Sequence, residues 1–414
     1  MIGKSGAWLF RSVILLSLCL VTVSPLWAGP KIIRIAAMGD IMLGTENLLP
    51  EDEAASAFSE VRPYLKDRQV VIGNLEGPLT DRGTPSKTVV EGLSYVFRTP
   101  PHYVDRLKEA GFTIMSLANN HAGDYGPAGY EQTREVLDGA GILHTGAPDQ
   151  WARQRVGQTT VSVLGLAPNS GCQDINDIPA AVELVKAEAE KPDTLVIVTF
   201  HGGGEGGGYI YVPQRAESFL GESRGDVRKL SHDLIDAGAH LIIGHGPHVP
   251  RGLEIYKDRL IAYSLGNFVT GRGINVSGYG GLAPLLLVEL SAKGDLVGGR
   301  VVSFRQSEAG RAGLDDKGEA AQLMHALSFY DFDRPALGAD GVIAHSEKEA
   351  LLLAASSPKP ARPQALAKAR KKVEDELLKT AQAEKPEVKK IKSPRKAKEN
   401  KAPTRYEWDV YSGS

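Results

Sequence analysis

Cysteine is nearly absent from this chain of 414 residues, which has only Cys19 and Cys172. A disulfide framework or a thiolate-rich zinc site is therefore excluded. Charge of one sign is missing too. The 48 Lys and Arg face 50 Asp and Glu, a net of −2, so the whole chain gives no reason to expect a nucleic-acid partner. The apolar run Val13 to Val23 has 11 residues, well short of the roughly 20 a membrane-spanning helix needs. Gly202–Gly208 is glycine-rich but lacks the Lys-Ser/Thr of a phosphate-binding loop, and no Gly-x-Ser-x-Gly elbow offers a serine nucleophile. What is present is ordinary globular material, 42% hydrophobic and 24% charged. The length suits two or three domains, or one large α/β domain with tails.

The near-zero net charge hides two unlike parts. Residues 359–405 carry 16 Lys/Arg against 6 Asp/Glu, whereas residues 1–358 carry a net of −10. Residues 356–414 read as a low-complexity basic tail punctuated by proline, with Gln364 to Lys379 rich in helix formers. Such a tail suits a solvated spacer, or contact with anionic lipid or an acidic polymer. At the other end, Lys4 and Arg11 precede the apolar run, Ser24 and Pro25 break it, and Ala28 offers a cleavage point. Residues 1–28 are expected to be an export signal or an N-terminal membrane anchor, and the protein periplasmic or in the cell envelope. Cleavage would leave Cys172 alone, read as a small buried apolar side chain.

Between the ends, seven short apolar runs predict strands: Ile32–Met38, Val70–Ile72, Phe112–Leu117, Val161–Leu166, Leu195–Phe200, Leu241–Ile243 and Ile261–Ser264. Apolar residues spaced i, i+3, i+4 predict helices at His102–Ala110, Ala128–Ala140, Pro179–Glu190 and Asp226–Ala237, with Gly141 and Gly238 as C-caps for two of them. Glu254–Tyr256 and Ile261–Tyr263 read as a hairpin. The alternation predicts an α/β fold with a partly parallel sheet in residues 31–305, followed by a partly helical extension over 306–355.

Six of the seven strand ends carry Asp, Asn, Glu or His. One such residue means only a turn. Recurrence at successive strand ends points to a crevice at the carboxyl edge of a sheet, where α/β proteins bind ligands. The set is Asp40, Asn74, Glu76, Asn120, His121, His201, Glu205, His245, His248 and Asn267, with Asn119 read as a turn residue. Carboxylate, imidazole and amide oxygen without thiolate suits a hard-to-borderline divalent ion, Mn, Fe or Zn. There are more candidates than one ion can use, which favours two ions that activate water and clamp phosphoryl oxygens. Asp40, Asn74, Glu76, Asn120, His201, Glu205, His245 and His248 are the expected ligands. His121 is the expected general acid, oriented by Asp124 three residues on.

The segments MGDIMLG (38–44), IGNLEGPLT (72–80), YVFRTPP (95–101), SLANNHAGDYGPAGYEQT (116–133), HGGGE (201–205), DAGAHLIIGHGPHVPRGLEIY (236–256) and IAYSLGNF (261–268) resemble the CapA/PgsA family. These are bacterial proteins associated with poly-γ-glutamate capsule synthesis. The resemblance implies a calcineurin-like metallophosphoesterase fold, an αββα sandwich. That superfamily's fingerprint is D-x-H, G-D-x-x-D, G-N-H-E/D, a lone His and G-H-x-H. On it Asp40 matches the first ligand, Glu76 or Asn74 lies near the second, and Asn120 and His121 match the Asn ligand and catalytic His. His201 matches the lone His, and His245 with His248 matches the last pair. The chain departs at Met42, where a His ligand is usual, at Asn-x-Glu in place of Asp, and at Gly246, where family members often have His. Two functions are expected: a metal-dependent hydrolase acting on an envelope phosphoester or polymer intermediate, or, from the basic tail and possible N-terminal anchor, a non-catalytic envelope protein that binds an anionic polymer for assembly or export. A periplasmic binder of neutral solutes fits the ligand set less well.

Overall fold

All seven apolar runs form strands, but pairing carries several of them past the glycine where the apolar pattern stops. The computed structural model describes residues 32–89, 95–270, 273–307 and 310–364. The expected export signal and most of the basic tail, including the helix expected over 364–379, lie outside the described residues.

In chain order the main elements are β1 (Ile32–Ile41), β2 (Val70–Leu75), α1 (Val104–Ala110), β3 (Ile114–Ser116), α2 (Gly126–Ala140), β4 (Leu143–Thr145), β5 (Trp151–Val156), β6 (Thr159–Ala167), α3 (Ile178–Ala189) and β7 (Thr194–His201). There follow α4 (Val227–Asp236), β8 (Leu241–His245), β9 (Leu253–Tyr256), β10 (Arg259–Ala262), β11 (Asn267–Val269), β12 (Leu282–Ser291), β13 (Leu296–Gln306), β14 (Ala312–Leu314), α5 (Glu319–Phe332) and α6 (Glu347–Ser356). They build two main sheets. The first runs β14-β13-β12-β1-β2-β3-β4, with β11 also pairing with β1. The second runs β9-β10-β8-β7-β6-β5.

Strand alternation explains the layering. Ile33, Ile35 and Ala37 of β1, with Val70, Ile72 and Ile114, face Val161, Val163, Leu195, Ile197, Leu241 and Ile243 of the second sheet in one aliphatic core. The intervening residues point outward. Ala36, Met38, Val71 and Met115 pack under Leu107, Ala110 and Leu137 of α1 and α2. On the other face, Leu164, Val196, Val198 and Ile242 pack under Ala181, Val185, Leu230 and Leu234 of α3 and α4. The result is the four-layer αββα sandwich expected from the sequence. Each helix has its stop or start signal. Gly141 (φ 76°) and Gly238 (φ 112°) follow α2 and α4, and the side chains of Asp177 and Asp226 accept N–H bonds at the starts of α3 and α4.

The predicted hairpin is β9–β10, with Leu253 paired to Ala262 and Tyr256 to Arg259. Three long strands, β5, β12 and β13, were not predicted. Beyond β13 the chain adds β14 to the first sheet and then forms α5 and α6.

Candidate metal centre

The extra strand residues are the polar ones, and register brings them together. Asp40 pairs with Asn74 on one side and Asn267 on the other. His245 pairs with His201 across the second sheet. Close backbone approach makes this possible. A Cβ on Gly39 would lie 2.0 Å from the carbonyl oxygen of Gly266, which accepts the Asp40 N–H at 2.9 Å. Gly246, at φ 110°, turns the chain against Gly202, whose N–H reaches the His245 carbonyl at 2.9 Å. His248 itself has φ 58°, which costs a non-glycine residue about 1–2 kcal/mol. That turn swings its imidazole back so that Nδ1 lies 2.8 Å from Asp40 Oδ2 and 3.1 Å from Asn267 Oδ1.

The ligand-bearing atoms of Asp40, Glu76 and His201 lie within 4.8 Å of one another, and all three side chains are buried. His245 Nδ1 is 3.6 Å from Asp40 Oδ1, and His248 Nε2 is 4.0 Å from Glu76 Oε1. Asn74, expected as a ligand, sits in the same cluster in another role. Its amide N–H groups face Asp40 Oδ1 at 2.8 Å and Glu76 Oε2 at 2.6 Å, while its oxygen accepts from Asn119 at 3.0 Å. As placed it holds the two carboxylates side by side.

Burial and charge push the groups apart. Burial opposes ionisation of Asp40, but the imidazoles of His245 and His248 beside it hold its carboxyl well below the usual range. Burial and the Asp40 charge push Glu76 well above its ordinary value. Burial, helped by the Arg224 guanidinium, pushes His201 well below its own, which leaves a neutral imidazole with a lone pair. Burial works against a charge on His248, yet the hydrogen bond and charge of Asp40 raise it to about 9.

A divalent ion fits these residues. Among the described residues, Glu76 Oε1, Asn120 Oδ1, His201 Nε2 and both ring nitrogens of His245 are buried without a hydrogen-bond partner. Leaving such atoms unpaired costs about 1–3 kcal/mol each, so a cation that took them as ligands would offset several such penalties together. Glu205 lies near enough for its charge to act on Glu76 and His248, and it pairs with buried Arg224 at 3.2 Å.

His121 is buried, near enough to His248 to feel its charge. Its Nδ1 is 2.8 Å from Asp124 Oδ2, the pairing expected from their spacing. Burial lowers the pKa of this histidine despite the adjacent carboxylate. Asn119, read as a turn residue, does accept the N–H groups of His121 and Ala122 at 3.0 and 2.8 Å. It is also fully buried and donates to Asn74, so it ties the His121 turn to the carboxylate pair.

Sequence reasoning missed three participants. Phe97 stacks on the His121 ring at 4.2 Å, Lys87 reaches Asp124, and Arg224 holds Glu205. A buried arginine between glycine loops is a detectable signal, but Lys87 and Phe97 each lie in an irregular stretch with no periodicity to flag them. Cys172 is partly buried with its thiol raised to about 11 by burial, as befits a structural cysteine.

Residues 34–272 match the model of the bacterial capsule synthesis protein family PGA_cap. The chain is 32% identical over 277 residues to the PGA biosynthesis protein CapA of Bacillus subtilis (strain 168), covering 60% of this chain and 69% of that protein. It is 30% identical over 264 residues to the capsule biosynthesis protein CapA of Bacillus anthracis, covering 58% of this chain and 60% of that one. Among solved structures, a novel phosphatase from Mycoplasma pneumoniae superposes with a TM-score of 0.43 at 12% identity, over 69% of this chain and 95% of the phosphatase. A 5'-nucleotidase precursor from Thermus thermophilus gives 0.39 at 16% identity, over 72% of this chain and 58% of the nucleotidase. Scores this low carry no chemistry across. The sequence matches do settle the lineage: with more than half its length aligned to the family model, the chain belongs to the bacterial capsule synthesis protein family PGA_cap.

Proposed function

We propose that this protein is a metal-dependent phosphoester hydrolase that serves capsule or poly-γ-glutamate synthesis in the cell envelope. The observation that carries the reading is the buried group of Asp40, Glu76 and His201, whose donor atoms converge within 4.8 Å while several neighbouring donors lack partners. Asp40, Glu76, Asn120, His201, His245 and His248 are the ligands in this reading, shared by one or two Mn, Fe or Zn ions. A divalent ion there supplies Lewis acidity, polarising a phosphoryl oxygen and making water acidic.

The chain's own residues do the rest. Asn74 and Asn119 keep the carboxylates aligned, and Arg224 steadies Glu205. His121 moves the proton. With Nδ1 committed to Asp124, Nε2 is the atom that exchanges it. As water oxygen bonds to phosphorus, the bond to the leaving oxygen breaks with its electron pair, and that oxygen takes the proton from Nε2. The water's proton leaves to solvent, and the imidazole is later recharged from solvent. Burial keeps His121 less basic than usual, so the negative charge of a bound phosphoester is what favours its protonated form.

The substrate class is an anionic envelope phosphoester or polymer intermediate, consistent with the capsule-synthesis names of the relatives. Export is part of the proposal and rests on residues 1–28. Among the described residues, no helix is long and apolar enough to cross a membrane. The test is hydrolysis of bis(4-nitrophenyl) phosphate by the full-length protein with Mn²⁺. Turnover that EDTA abolishes and His121→Ala lowers by about 10²–10⁴ supports the reading. Turnover indifferent to both, or none with any of the three metals, overturns it and leaves a non-catalytic polymer-binding protein as the better account.

A further inference from the structure

We propose that Lys87 is a positioning residue for His121, acting through Asp124 and resting on the hydrolase reading above. Its ammonium lies 2.8 Å from Asp124 Oδ1, while the other oxygen of the same carboxylate lies 2.8 Å from His121 Nδ1. The chain Lys87–Asp124–His121 is therefore continuous. It begins at a side chain about one-third exposed and ends at a buried imidazole.

The need for a lysine follows from burial. The Asp124 side chain is 1% exposed. A buried carboxylate without a counter-charge is costly, often by several kcal/mol. Its other donors are the Phe97 N–H, 2.7 Å from Oδ2, and His121 Nδ1, 2.8 Å from the same oxygen. Lys87 adds an ammonium to the second oxygen of this carboxylate. The same ammonium donates to the carbonyl oxygen of Asn120 at 3.3 Å, and the Ser86 N–H reaches the Asp124 carbonyl at 2.8 Å. The 81–89 loop thus grips the Asn120–Asp124 turn at both ends. Phe97 completes the mount, with its ring stacked 30° from the His121 plane at 4.2 Å. Remove the lysine and Asp124 loses its ammonium partner and is free to turn away. The Nδ1–H of His121 then loses its acceptor, and the direction in which Nε2 points is no longer fixed.

A lysine that positions the acid differs measurably from one that grips the substrate. Proton delivery matters most when the leaving oxygen is a poor leaving group. In the full-length, Mn²⁺-loaded protein, Lys87→Met is expected to lower kcat for diphenyl phosphate by about 10–100-fold, part of the 10²–10⁴ that proton transfer contributes. It should lower kcat for bis(4-nitrophenyl) phosphate much less and leave KM unchanged for both. Lys87→Arg should restore most of the loss. A second readout needs no turnover. In ¹⁵N-histidine-labelled, metal-free protein, the hydrogen-bonded Nδ1–H resonance of His121, assigned by its disappearance in His121→Ala, should be lost in Lys87→Met and kept in Lys87→Arg. A KM rise of equal size for both substrates, or an unchanged Nδ1–H resonance in Lys87→Met, overturns the proposal. Failure of the wild-type protein to turn over either substrate sinks the hydrolase reading instead, and the resonance still decides the role of Lys87.

Discussion

The two sheets share one aliphatic core, yet they end in different chemistry. The carboxyl ends of the first sheet present Asp40, Asn74 and Glu76, with Asn119, Asn120 and Asn267 beside them. The second presents His201, His245 and His248, with Glu205 on the adjoining loop. One edge is acid and amide, the other mainly imidazole. Alone, the first edge would be two buried carboxylates repelling each other; burial and the Asp40 charge drive Glu76 up, while His245 and His248 from the other edge hold Asp40 down. Alone, the second would be buried imidazoles without the Asp40 and Glu76 carboxylates beside them. Facing each other across the seam, they form a mixed oxygen–nitrogen nest suited to a divalent cation. The sandwich matters to function because it aligns two incomplete edges.

Breaking the acidic edge should have the largest effect. Asp40→Ala is expected to remove phosphodiester turnover by at least about 10³-fold, beyond the roughly 10–100-fold that loss of an outer-shell partner gives. Steady-state rates with saturating Mn²⁺ check this. Next comes the shared floor. Ile197→Ala, fully buried between the sheets, should cost about 2–5 kcal/mol in urea unfolding while leaving metal affinity of the folded protein within a few-fold. Asn119→Ala leaves the Asn74 amide oxygen and the His121 N–H unpaired, and should cost about 1–3 kcal/mol. It should also weaken metal binding, whereas a purely structural cap would not.

The smallest effect lies away from the seam and serves as the contrast. Glu188 of α3 pairs with Arg153 of β5 at 2.7 Å and with Lys191 at 2.7 Å, and its carboxyl falls to about 2: burial alone would raise it, but these partners outweigh that. Both cations are about half exposed, so screening limits the pair to roughly 1 kcal/mol. A depressed carboxylate stabilises above its unfolded pKa and loses that contribution as pH falls through its folded value. Glu188→Gln should therefore be less stable by about 1 kcal/mol at pH 6, with the difference gone near pH 2. Urea titrations at both values measure it, and turnover at pH 6 should not change.

Much of this was legible in the chain. Apolar runs marked the seven strands, glycine marked the helix ends at 141 and 238, and the spacing of His121 and Asp124 foretold their pairing. The allocation of strands to two sheets was not legible, because a buried parallel strand reads the same in either. The short strands β4, β11 and β14 escaped notice, and so did three longer ones. Trp151–Val156 is polar on one face, and Leu282–Ser291 with Leu296–Gln306 lies beyond the last strand-end motif. Asn74 shows a subtler limit. Its residue type allows metal binding or bridging, and only the partners Asp40, Glu76 and Asn119 distinguish the two. Lys87 and Phe97 act across long loops, where composition carries no trace of contact.

The account depends on both edges holding the same cation. Calorimetric titration of the metal-free, full-length protein with Mn²⁺ tests this most directly, comparing wild type with Asp40→Asn from the first sheet and His201→Ala from the second. The account predicts saturable binding by the wild type and at least a tenfold loss in each variant. Equal binding by all three proteins, or a loss confined to one edge, would contradict it.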